Sequence, residues 1–353
     1  MVQRTRLSDF DFHLPPELLA EHPAPTRDGS RLMVVHRESG RIEHRSFPDI
    51  QSYFGAGDCL IINNTQVVPA RMEVRKNRMD GALIELLLVE EVDGEPHTWN
   101  VLLDPLKKLR LGHRLVFGNH QLEAEIVAEA GERERHIRFD FEGSNDELRA
   151  QLYQLGCTPL PRYIKRPEVS TDAQRYQTVY ASEPGALAAP TAGLHFTPQI
   201  MHAMEQQGVR FPQLTLQIGI GTFTPVHEED ITQHQMHTER FFLPEATATT
   251  IRNSLEYGHK ACAVGTTVLR TLESTVKQTG RIAEHRGSTK LFIYPPYNFQ
   301  SANALLTNFH TPQSTLLMLV CAYGGYELMM DAYREAVMEG YRFFSFGDAM
   351  LII

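Results

Sequence analysis

The sequence predicts an α/β protein: a large α/β domain with a mixed sheet, and a small all-β domain inserted into it. Two observations lead there. After residue 150, strand-like runs alternate with helix-like ones, the pattern of an α/β sheet. Between about 70 and 150 the texture is different, with short alternating runs separated by turn signals and no convincing helix before Asn145. The large domain therefore takes residues 1–69 and 151–353, and the small one takes 70–150.

A chain of 353 residues can bury a substantial core and hold two domains. Apolar residues make up 42% and charged residues 22%, as in an ordinary soluble protein. A net charge of −9 excludes a global basic footprint, so any contact with nucleic acid must use a local patch. Cys59, Cys157, Cys262 and Cys321 are single and widely spaced. That argues against a zinc ribbon or disulfide framework and fits a reducing cytoplasm. Met1 to Arg6 lacks the apolar core of a signal peptide, and Leu316 to Val320 is too short to span a bilayer. A cytoplasmic protein is expected.

In chain order, Asp9 and Asp11 share one face of an extended segment, with Phe10 and Phe12 on the other. Pro16 to Ala20 reads as a short helix, and Leu32 to Val35 as a strand. Before that strand, Arg27, Asp28, Ser30 and Arg31 read in two ways: a solvated loop with an internal ion pair, or a basic hand on phosphate or carboxylate. Asp58 to Ile62 is the next strand. The all-β region then gives Leu83–Val92, Trp99–Leu103, Arg114–Phe117, Leu122–Ala128 and His136–Phe141, in a barrel or a sandwich. Its basic cluster, Lys107, Lys108, Arg110 and Arg114, reads as solvated surface. Asn145 to Leu155 is helical.

The stiff segment Cys157–Ile164 carries Arg162, with Lys165, Arg166 and Arg175 soon after. Together with Tyr163, Tyr176 and Tyr180 this is a mix suited to phosphate grip and base stacking, although a proline-rich scaffold would look the same. Ala188 to Thr197 is a loop of small residues broken by Pro190 and Gly193, with His195 as its titratable group. Thr197-Pro198 starts a helix that Gly208 ends. The strand Leu214–Ile218 runs into Gly219-Ile220-Gly221. A dinucleotide fingerprint would add a third glycine and a helix, but Thr224-Pro225-Val226-His227 interrupts one. The turn is read as ligand-facing, with a plain tight turn as the alternative.

His234, His237 and Glu239 lie close together, and packing or substrate contact is expected there over a metal site. Ala261 to Val264 is a buried strand passing through Gly265-Thr266-Thr267 into a helix with Val268, Leu269, Leu272 and Val276 on one side. Free N–H groups and two hydroxyls make an anion site with Arg270 as partner, while plain capping explains the threonines as well. Leu291–Tyr294 reads as a strand. Leu306 to Leu316 is a polar loop with His310, and it opens a helix ending at Gly324-Gly325. Glu327–Glu339 is a helix, and Tyr341–Phe346 a last strand with Asp348 at its end.

Taken together, Asp9–Arg31, Gly57–Arg71, Ala189–Thr197, Leu214–Val226, His234–Glu239, Ala263–Ser274, Phe292–Tyr297, Leu306–Leu319 and Tyr341–Leu351 resemble the S-adenosylmethionine:tRNA ribosyltransferase-isomerase family of queuosine biosynthesis. Gln217 stands where that resemblance leads one to expect a histidine. The resemblance implies an α/β catalytic domain with a small inserted β-barrel. It implies action on S-adenosylmethionine and on tRNA carrying 7-aminomethyl-7-deazaguanine, and a monomer is expected. The donor is consumed as a ribosyl source, so neither a cofactor nor a metal is implied. His195 and His310 become the candidates for proton transfer near neutral pH, with a structural hydrogen-bonding role as the alternative for either. Thr191, Gly193, Gly219, Gly221 and Thr222 are expected to shape the donor pocket, with Thr266, Thr267 and Arg270 on the methionine carboxylate. Arg162, Lys165 and Arg166 are expected on the anticodon backbone. Asp9, Asp11 and Asp348 are candidates for the ribose hydroxyls or the acceptor amine.

Overall fold

The computed structural model describes residues 4–107, 109–131, 133–219, 221 and 226–353. They fall into two compact units, Met1–Gln66 with Pro161–Ile353, and Val67–Leu160.

The larger unit is built on a nine-stranded mixed sheet. Four central strands run parallel: Gln213–Leu216, Cys59–Asn63, Ala261–Val264 and Ala304–Asn308. Glu239–Leu243 and His285–Thr289 extend one side in antiparallel fashion. On the other side, Ala349–Ile352 is antiparallel to Ala304–Asn308 and parallel to Arg31–Val35, and Ile42–Ser46 is the edge. Cys59–Asn63 and Ala261–Val264 are buried along their whole length, because both faces of the sheet are covered.

The pleat sorts their side chains. Leu60, Ile62, Cys262 and Val264 join a core with Ile50, Phe196, Ile200 and Met204. Cys59, Ile61 and Ala263 join the opposite core with Val268, Leu272, Leu317 and Met329. Each fully buried Leu or Ile contributes about 1.5–3 kcal/mol. The helix Thr266–Thr279 follows its strand after a single residue, Gly265, whose φ of 99° is hard for any side-chain-bearing residue to adopt. Val268, Leu269, Leu272 and Val276 form its buried stripe, and left-handed Gly280 stops it.

Three local expectations are corrected. Pro16–Ala20 is only a short 3-10 turn, Pro16–Leu18. Leu291–Tyr294 forms no ladder; the edge strand is His285–Thr289, and Leu291, Phe292 and Ile293 pack on the core without alternating. The final strand is Ala349–Ile352, not Tyr341–Phe346. Tyr341 and Phe343 are buried aromatics, and Phe344 at a φ of 77° breaks the extended chain. In both places apolar spacing reflected packing, not a pleat.

The second unit is a closed six-stranded antiparallel barrel. Leu83–Glu91, Thr98–Asp104, Arg114–Phe117, Leu122–Glu129 and Glu134–Phe139 match the five expected runs to within a few residues. The sixth, Arg71–Lys76, pairs with two of them and completes the barrel. Met72 and Val74 point inward between Arg71, Glu73 and Arg75, a short alternation that the sequence did show. The helix Asn145–Leu155 is part of this unit and starts on a Ser144–Glu147 capping box. Arg114 is tied to Glu123 at 3.0 Å and to Asp140; Lys108 lies outside the described residues. No described helix is long and apolar enough to cross a membrane.

Candidate active site

Parallel strands end where their connections diverge, and a ligand can enter the space beyond their carboxyl ends. A cleft lies there in the larger unit. Thr307, Asn308 and His310 come from the end of one strand, Gly265 to Thr267 from the end of another, and Ile218 from beyond a third. The loop from Ala188 to Ala192 supplies the facing wall. A second cleft holds Gly221, His237, Glu239 and Arg270, and it shares Thr267 and Leu316 with the first.

His310 is 5% exposed. Its Nε2 lies 2.9 Å from Thr307 Oγ1, and its backbone N–H donates to the Tyr333 hydroxyl at 3.1 Å. His195, 4% exposed, stands in a smaller neighbouring pocket with Ser30 and Arg27. Its Nδ1 is 2.8 Å from Ser30 Oγ, and its Nε2 is 3.2 Å from Asn308 Nδ2. The same Asn308 amide donates to Phe344 O, which fixes its orientation. His195 Nε2 therefore accepts, and Nδ1–H is donated to Ser30. Asn308 Oδ1 is buried without a partner.

Burial pushes the pKa of both imidazoles down to about 3; for His195 the charges of Arg342 and Arg27 add to the effect. This corrects the expectation that they titrate near neutrality. An unfolded histidine takes a proton near about pH 6.5. Between that value and about pH 3 the unfolded chain binds two more protons here than the folded one, so stability falls as pH drops through the window. Going from about pH 6 to about pH 5 should cost on the order of 2 kcal/mol. Urea unfolding at the two pH values checks this. His195→Gln should remove about half of the loss, and equal stability at both values would contradict it.

Thr191, Thr266 and Thr267 line the first cleft. Gly193 does not; a Cβ there would sit 1.9 Å from the Tyr180 hydroxyl, so packing demands glycine. The Gly219 N–H donates to Glu239 Oε1 at 3.2 Å. Thr222 lies outside the described residues. Arg270 forms a buried ion pair with Glu239, and its Nη1 is buried with no partner. Glu239 was legible only as a neighbour of His237; its role as the counter-ion of Arg270 depends on a contact 31 residues away. With Glu239 engaged and His234 3.5 Å from Glu228, no metal-holding group of three His, Cys, Asp or Glu occurs among the described residues.

The other candidates are scattered. Asp348, 2% exposed, accepts backbone N–H bonds from Arg31 at 2.9 Å and Arg342 at 2.8 Å, so its oxygens are committed to the fold. Asp9 accepts from the Arg6 N–H at 3.1 Å, and Asp11 is exposed; neither lines either cleft. Arg166 is held by both oxygens of buried Asp172, at 2.7 and 2.8 Å, and by Glu21 O. Arg162 and Lys165 are exposed. Gln217 lines a different groove with Arg240 and Arg286, because the pleat that turns Ile218 into the cleft turns its neighbour away. Thr307 and Asn308, not singled out in the sequence, are polar residues ending a fully buried strand.

The fold and these clefts define an α/β protein with two adjoining clefts beyond the ends of parallel strands, joined in one chain to a β-barrel. The chain belongs to the queuosine biosynthesis protein family, whose model matches residues 7–352. It is 49% identical over 348 residues to an S-adenosylmethionine:tRNA ribosyltransferase-isomerase of Cytophaga hutchinsonii, covering 99% of this chain and 100% of the relative. A protein of the same name from Symbiobacterium thermophilum is also 49% identical, with the same coverage. The crystal structure of a Thermotoga maritima S-adenosylmethionine tRNA ribosyltransferase is similar with a TM-score of 0.56 and 38% identity, over 98% of this chain and 100% of that one.

Proposed function

We propose that the protein is an enzyme that transfers and isomerises the ribosyl moiety of S-adenosylmethionine. The acceptor is the 7-aminomethyl-7-deazaguanine at the wobble position of tRNA, and the products are epoxyqueuosine-tRNA, adenine and methionine. The end-to-end likeness to relatives bearing that name carries the reading. S-adenosylmethionine enters as a substrate, with no further cofactor, and the work is cytoplasmic.

The chemistry asks for a base at the carbon beside the sulfonium, a grip on the methionine end, and a dry pocket. Removing a C5′ proton gives an ylide that drives loss of adenine. The acceptor amine then attacks the ribose, and ring rearrangement to the epoxide expels methionine. His310 is the base in this reading. In the tautomer that donates Nε2–H to Thr307, Nδ1 carries the lone pair. A proton moved from a sulfonium to a neutral imidazole shifts charge within the cleft without adding any. The burial that opposes protonation from water therefore opposes this transfer far less.

Arg270, with its unpaired Nη1, and the hydroxyl of Thr267 beside it in the second cleft, with Thr266 in the first, suit a carboxylate. The two clefts share a wall at Thr267 and Leu316. Thr191 and Gly221 border that space, and His195 holds Asn308 in place at its edge. Arg162 and Lys165 are left as tRNA contacts on the surface. Free adenine released in an amount equal to modified tRNA is the test; adenine without modified tRNA, or the reverse, would count against the reading.

A further inference from the structure

The pocket beside His195 contains more positive charge than the fold neutralises. It is lined by Arg27, Arg175 and Arg342 together with Ser30 and Ser345, and no acidic side chain lines it. Arg27 donates to Gln177 O at 2.8 Å, Leu194 O at 3.2 Å and Gln174 O at 2.9 Å. Arg175 donates to Ala24 O at 2.7 Å and Pro25 O at 3.3 Å. These partners are neutral carbonyls, which fix the two guanidinia without cancelling their charge. Burial and then the charge of Arg175 disfavour the ionised form of Arg27. Arg342 reaches Asp348 only at 3.4 Å, and that carboxylate already serves two backbone N–H groups. Two guanidinia bound to carbonyls, and a third that shares Asp348 with two backbone N–H groups, surround a small pocket and are arranged for an oxyanion.

Ser345 lines both this pocket and the first cleft, so the oxyanion would lie one residue away from that cleft. A chain of net charge −9 that engages a polyanion needs such a local patch. We infer that Arg27, Arg175 and Arg342 hold a backbone phosphate of the tRNA beside the nucleotide whose base enters the cleft. This rests on the proposed function for the identity of the polyanion.

The test is equilibrium binding of the tRNA transcript across a salt series, with KM for S-adenosylmethionine measured alongside at saturating tRNA. Arg175→Gln and, separately, Arg342→Gln should weaken tRNA binding about 5–10-fold at moderate salt. Each should also lower the slope of log affinity against log salt by about 0.7–0.9, the value for one phosphate contact. Arg175→Lys should keep the slope, and the donor KM should stay within about twofold. Thermal melts show that each variant is folded, and two independent positions guard against a local collapse at one. An unchanged slope with a raised donor KM would mean that the pocket takes the methionine carboxylate, and would overturn the inference. An unchanged slope and KM would overturn it as well. If the wild-type protein binds tRNA but transfers no ribose, the proposed reaction fails while the slope still reports on the pocket.

Discussion

His310→Ala is expected to lower the single-turnover rate of adenine release by about 10²–10⁴-fold, the range for losing a general acid–base group. Affinity for the donor and for tRNA should change far less, because the ring accounts for a small part of either surface. The assignment rests on position: His310 lines the cleft from the end of a parallel strand, held by Thr307 and Tyr333, whereas His195 lies in the pocket beside it. His310→Gln, which keeps a polar side chain but no usable base, should be nearly as slow as alanine. Since burial keeps the imidazole neutral down to about pH 3, the wild-type rate should show no ionisation of this group between about pH 6 and pH 8. A His310→Ala rate within a fewfold of wild type would make this histidine a packing residue.

Glu239→Ala should be the most damaging change to the fold near the site. It strands the Arg270 guanidinium in a buried position and removes the acceptor of the Gly219 N–H. Breaking a buried pair from one side costs about 3–5 kcal/mol, mostly as the penalty of an unpaired charge. Replacing both partners, as Glu239→Leu with Arg270→Met, should recover most of that stability, since a buried pair contributes little over an apolar pair of similar volume. The double variant should still bind the donor poorly, because the carboxylate grip is gone. Urea unfolding together with donor binding separates the two effects. A double variant as unstable as Glu239→Ala would show that the ion pair itself holds the two elements together.

How much of this could be read from the sequence follows from the range of the interactions. Local signals were sufficient where the structure is local. Thr197-Pro198 caps its helix, with Thr197 accepting from the Ile200 N–H. Ala261–Val264 turns through Gly265 into the helix that carries Arg270. The five barrel runs alternated visibly, and the sixth did so over too few residues to stand out. Legibility failed where one spacing serves two purposes. The aromatics of 341–346 and the apolar run 291–294 looked like strands because packing on a core can copy a pleat for four residues. It failed again wherever a role depends on a distant partner. Arg166 looked like a tRNA contact until Asp172 was seen to hold it, and Asp348 like a substrate ligand until two backbone N–H groups were seen to claim it. Both histidines could be singled out in the sequence, but their protonation state depends on burial, which the residues alone do not report.

The central claim is that this fold moves the ribose of S-adenosylmethionine, and the fate of labelled atoms tests it most directly. The donor would be labelled separately in ribose and in methyl, and offered with tRNA carrying the aminomethyl-deazaguanine base. Ribose label should enter the tRNA, methyl label should leave as methionine, and tRNA with ordinary guanine at that position should accept neither, since it lacks the nucleophilic amine. Methyl label retained on the RNA, with S-adenosylhomocysteine as the product, would contradict the account.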